Sequence, residues 1–184
     1  MADLHPEAQS VLDFWFSDHS HEDWFSGAQK FDVEVRIGFA KVLQAAEKSE
    51  LWHWRTTPRG RVAEIIVLDQ FSRQLYRKSG RAFANDALAL ALAQEGVAQG
   101  LDADLSSDER HFLFMPYMHS ESLIIHDEAM KLYATVSENA LDFERRHRDV
   151  IERFGRYPKR NEALRRASTR EELEYIAATS GSMF

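Results

Sequence analysis

The chain has 184 residues, 44% of them hydrophobic and 11% aromatic, enough for a single domain with a continuous apolar core. It has no cysteine, which excludes disulfides, thiolate zinc sites and cysteine nucleophiles and makes the cytoplasm the default location. The net charge of −7 argues against a nucleic-acid partner, and no apolar run approaches the roughly 20 residues that span a bilayer, so no membrane partner is expected either.

Pro6 predicts the first position of a helix through Val11, Leu12, Trp15 and Phe16, and Ser20 is available to cap a short element carrying Trp24 and Phe25. A longer helix is expected from Ala28 to Lys48, where Phe31, Val35, Phe39, Val42, Leu43 and Ala46 keep the helical period. Leu51-Trp52-His53-Trp54 breaks that period, and Thr57-Pro58 opens the next helix as cap and first residue. Its core face reads Val62, Ile65, Ile66 and Leu68, with Asp69, Arg73 and Tyr76 on the same side. Asp69 and Arg73 stand four apart with the acid first, the favoured order for an ion pair.

After a turn at Ser79-Gly80, a small-residue helix from Arg81 to Gln99 closes at Gly100. Ser106 with Glu109 forms a capping box, opening a helix that Pro116 is expected to interrupt or kink. His119, Leu123, His126, Met130 and Tyr133 form the next apolar face. Beyond Ser137 runs an amphipathic helix whose stripe is Phe143, Val150, Ile151 and Phe154, with His147 inside it. Gly155 ends this helix and Pro158 keeps it from resuming. A short helix over Glu162–Arg166 is expected next, then a last one capped by Ser168 or Thr169 with Glu171 or Glu172.

No segment alternates with period two over strand length, so the predicted fold is all-α, one domain over residues 1–184. Short helices with short loops suggest stacked antiparallel helix pairs, although no repeat of about 34 residues is evident. Trp15, Phe39, Ile66, Leu92, Ile125 and Phe154 are expected in the core. Charge is uneven: Arg145 to Arg166 holds nine Lys or Arg against three acids, a local balance of +6.

Taken together, Val11–Phe16, Leu68-Asp69-Gln70-Phe71, Arg81–Ala84, Met115–Glu121 and His147–Asn161 resemble a bacterial domain-of-unknown-function family with a tetratricopeptide-like helical fold. The likeness covers nearly the whole chain and implies a fold without an activity or a cofactor. Its motif residues fall on Asp69, Gln70, Arg73, Tyr76, Arg77, His119, Glu121, His147, Arg148, Arg153, Gly155, Arg156, Pro158, Arg160 and Asn161. Two positions depart from the pattern. Ser72 stands where the family tends to have proline, and Lys159 where it tends to have histidine.

Three apolar faces thus each carry a polar intrusion: Asp69 with Arg73, His119 with His126, and His147. Converging, they would supply an acid, a guanidinium and imidazoles, the inventory of anion recognition or general acid–base work. The expected ligand-binding residues are Asp69, Gln70, Arg73, Arg77, His119, Glu121, His147, Arg148, Arg153, Arg156, Arg160 and Asn161. The leading expectation is a binding module holding a small anionic molecule or an acidic peptide segment in a concave cleft. An enzyme acting on an anionic substrate and a purely structural network are the alternatives. A homodimer is compatible with each of them. No metal is expected, because Glu50-x-x-His53 lies in a helix-breaking stretch and, of Glu144-x-x-His147, Glu144 is read as turned toward the basic side.

Overall fold

The computed structural model describes residues 3–25 and 29–180, and within them every regular element is helical, as the sequence predicts. The expected helix start at Ala28 lies outside the described residues. The chain divides into two compact units: Met1–Arg77 with Arg81–Pro116, and Lys78–Gly80 with Tyr117–Phe184.

In the first unit, α1 (Pro6–Asp13) begins with Pro6 as its first residue and passes into a π turn, Phe14–Asp18. α2 (His21–Phe25) and α3 (Gln29–Ala46) follow. Trp15 lies parallel to Trp24 with ring centroids 5.3 Å apart, and Phe112 meets Trp15 edge-on at 5.4 Å. The Trp24 indole donates to the Trp15 carbonyl at 2.9 Å, so this aromatic core also satisfies one of its own polar groups.

A tight turn over Trp52–Thr56 leads into α4 (Pro58–Ile65), capped by Thr57, whose hydroxyl accepts from the Gly60 amide at 3.0 Å. A Cβ on Gly60 would lie 2.1 Å from the Trp54 carbonyl oxygen, so only glycine lets the turn close against the helix. α4 continues through a second π turn, Ile66–Phe71, into α5 (Ser72–Leu75). The sequence reading gives this stretch one core-facing stripe. In the structure every residue from Gly60 to Ser72 is buried, because neighbours enclose it on all sides. The three charges inside it are paired: Glu64 accepts both ends of the Arg55 fork at 2.7 Å, Arg61 reaches Glu95 at 2.7 Å, and Asp69 meets Arg73.

The expected helix start at Arg81 is corrected to Asp86. Gly80–Phe83 forms a single tight turn, and α6 spans Asp86–Ala98 before Gly100 at φ +70°. α7 (Ser107–Met118) opens on the expected capping box, Ser106 and Glu109 exchanging bonds of 2.9 and 3.3 Å, and continues as helix through Pro116.

The second unit is built on a hairpin of α8 (Leu123–Tyr133) and α9 (Glu138–Phe154). Across it His126 meets Glu144 and Asp127 meets Arg148, and Leu123 packs against the cluster of Val150, Ile151 and Tyr157. Gly155 at φ +68° terminates α9. The helix expected over Glu162–Arg166 is a turn instead. Arg166 N donates to Asn161 O and Arg165 N to Glu162 O, a helix-stop motif that sets Arg165 at φ +54°. α10 (Arg170–Ala178) then opens on a Thr169/Glu172 capping box. Of the six expected core residues, Trp15, Ile66 and Leu92 are buried, while Phe39, Ile125 and Phe154 are half-buried.

Candidate functional site

Each unit carries one group of the expected site residues. In the first, the π turn Ile66–Phe71 presents Asp69, 1% exposed, with Oδ1 at 3.0 Å from Arg73 Nη1, which also donates to the Asp69 carbonyl at 2.6 Å. Arg73 further bridges to Asp86 at 3.0 Å. Gln70 donates to the second Asp69 oxygen and to Met115 Sδ. Ser72 donates to the Leu68 carbonyl at 2.6 Å and accepts from Asn85 at 3.0 Å, so its hydroxyl ties the turn down. Arg77 pairs with Asp32 and Gln74 away from this group. Arg73 with Asp69 and Asp86 carries one positive and two negative charges, which does not favour an anion.

The second group surrounds Tyr157. Its hydroxyl donates to the Met118 carbonyl at 2.6 Å and lies 3.3 Å from His126 Nε2. The His147 ring stands edge-on to it at 5.9 Å, and the Arg160 guanidinium lies over its face, 4.4 Å from the centroid. His147 is 7% exposed and its Nδ1 donates to the Phe143 carbonyl at 2.9 Å. Burial, with smaller contributions from His119, His126 and Arg160, pushes its pKa down to about 3. His147 is therefore a neutral imidazole with its proton on Nδ1.

The remaining expected residues have structural engagements. Glu121 takes both ends of the Arg166 fork at 2.6 and 2.9 Å and accepts from the Tyr157 amide at 2.8 Å. Asn161 accepts from Arg166 and donates to Ser168, completing the brace behind Tyr157. Arg148 is held by Asp127 and Glu152, Arg153 by Glu171, and Arg156 by the buried Glu172 at 2.6 and 2.9 Å. Arg156, followed by the Thr169 amide, holds the Glu172 carboxyl down at about 2. The expectation that Arg153 and Arg156 join His147 in an anion site is thus corrected: both reach acids on α10.

His119 lies in the turn after α7, not on the face of α8, while His126 is fully buried on α8. Glu144, read from sequence as turned outward, is fully buried against His126 at 2.6 Å. A signal for it was present, since Glu144, His147 and Ile151 follow i, i+3, i+7. Tyr157, Arg166 and Asp86 carried no such signal, because their partners come from other elements. No group of three or more His, Asp or Glu suited to a metal occurs among the described residues, nor any helix long and apolar enough to cross a membrane.

The family model described as "Bacterial protein of unknown function (DUF924)" matches residues 11–180. The chain belongs to this family. As a DUF924 member it is also similar to a solved structure, the protein of unknown function ATU0120 from Agrobacterium tumefaciens. The two are 32% identical with a TM-score of 0.89, over 94% of this chain and 97% of that one. No curated protein matches the chain. The DUF924 relationship fixes the helical fold and leaves the chemistry to be argued from the side chains.

Proposed function

We propose that the second unit is a binding module for a small anionic ligand, met by Arg160 and His119 with Tyr157 and His147 beneath them. The observation that carries this reading is the surround of Tyr157, a guanidinium on its face and two imidazoles at its edges. Arg160 supplies the fixed charge, since His147 is neutral, and a charge-assisted bond to a carboxylate or phosphate is the interaction such a group makes best. The same proposal takes α8 and α9 as a tetratricopeptide-like helix pair acting in the cytoplasm, with an acidic peptide segment as the macromolecular form of the ligand.

A thermal melting screen tests this with inorganic phosphate, phosphoserine, malate and a short polyglutamate peptide. At about a hundredfold excess over Kd, bound ligand adds about 2.7 kcal/mol, or roughly 5–11 °C in midpoint. The shift should be lost in Arg160→Ala. No shift with any probe, or a shift that survives Arg160→Ala and His119→Ala together, overturns the assignment.

A further inference from the structure

His126, whose ring edges Tyr157, is paired on its other side with the buried Glu144. Both side chains are 0% exposed, one from α8 and one from α9, with Nδ1 and Oε1 2.6 Å apart. The protons at this pair are fixed by what surrounds it. Nε2 of His126 lies 2.9 Å from the Ser120 carbonyl, which only accepts, so Nε2 carries a hydrogen. The Tyr157 oxygen, 3.3 Å from the same nitrogen, has spent its own hydrogen on Met118 O and also accepts. One further proton then lies between Nδ1 and Oε1, giving either an imidazolium facing a carboxylate or a neutral imidazole facing a carboxylic acid.

The second oxygen of Glu144 decides between them. Oε2 is buried and has no hydrogen-bond partner. In an ion pair, Oε2 would carry half of a carboxylate charge with nothing to meet it, a costly state in a buried site. In the acid form Oε2 is a neutral carbonyl oxygen, whose missing bond costs far less. Arg148, one turn along α9 from Glu144, is already held by Asp127 on α8 and Glu152 on α9, and Arg145 and Arg146 reach Asp142. The other titratable groups about the pair are Tyr157, neutral His147 and, beyond His147, His119. Burial pushes the Glu144 carboxyl up, against the pull of His126 and Arg148.

We infer that Glu144 is a built-in proton site, a carboxylic acid at neutral pH whose hydrogen is donated to His126 Nδ1. The protonated pair is a positioning device. By holding Nε2–H toward Ser120 O and Tyr157, it fixes the connection before α8 and the aromatic ring that Arg160 covers.

Infrared difference spectra of the parent minus Glu144→Gln test it on the intact chain. The expected result is the carbonyl band of a protonated carboxylic acid at neutral pH, present in the parent and missing from the variant. Glutamine reproduces the acid's shape, its amide donating where the acid hydroxyl did, so Glu144→Gln should melt within about 2 °C of the parent. Glu144→Ala, which strands His126 Nδ1, should fall by about 6 °C or more. Absence of the acid band, or Glu144→Gln falling as far as Glu144→Ala, overturns the inference.

Discussion

His147 should make the protein acid-labile by an amount that one substitution removes. Its imidazole is neutral in the fold, held near 3 chiefly by burial, and regains an ordinary value of about 6.5 when the chain unfolds. Since the folded value is the lower one, the contribution to stability is present above about pH 6.5 and is lost as pH falls toward 3. Between those limits the unfolded chain takes up close to one extra proton, so each pH unit costs up to about 1.4 kcal/mol, and the whole window about 5 kcal/mol. The carboxylates held low in the fold act in the same direction but at lower pH. Glu121, despite burial that pulls it up, is held down by Arg166 and the Tyr157 amide, and Glu172 sits at about 2 because of Arg156. Unfolded carboxyls titrate near about 4.3, and between about pH 4.5 and 6.5 comparison with a variant lacking the histidine cancels the other groups, the raised Glu144 carboxyl among them. His147→Leu suits the apolar stripe beside Phe143 and cannot take up a proton. Urea unfolding of both proteins across that interval should show the parent losing about 2 kcal/mol more than the variant. Parallel curves would mean that His147 protonates freely in the fold, and the burial argument would fail.

Asp69→Ala should cost about 3 kcal/mol, the low end for breaking a buried pair, because Asp86 remains to hold Arg73; an unchanged urea midpoint would refute the pairing. Arg165→Gly should gain about 0.5–1 kcal/mol by relieving its left-handed backbone, whereas Gly155→Ala should lose about 1 kcal/mol. Paired melting curves check both signs at once.

The helical class was legible because Val, Ile and Leu recur at helical spacings, and three starts were legible because the capping chemistry is local. Thr57 with Pro58, Ser106 with Glu109 and Thr169 with Glu172 all cap as their spacing predicts. The pairing of Asp69 with Arg73 was legible for the same reason, the partner lying one turn away. What failed depended on distant partners. Glu144 looks like surface until His126 arrives from α8, and Arg156 looks like an anion ligand until α10 brings Glu172. Gly60–Ser72 defeated the single-stripe reading because a helix enclosed on every side has no outward face to mark with polar residues.

The π turn at Ile66–Phe71 sets the angular phase of the helical turn that follows it. A π turn holds one residue more than the α-helical turn it replaces, and one residue is worth about 100° of rotation and 1.5 Å of rise. Deleting a single residue there would let the segment relax to plain α-helix and swing the following side chains by that angle. Ser72 would leave Asn85, Gln74 would leave the Trp24 carbonyl, and Arg77 would leave Asp32. The number of residues between the Thr57 cap and the Ser79 turn is therefore counted out by the fold. Changes of chain length belong in exposed connections such as residues 48–50, which lie between helices and not within one.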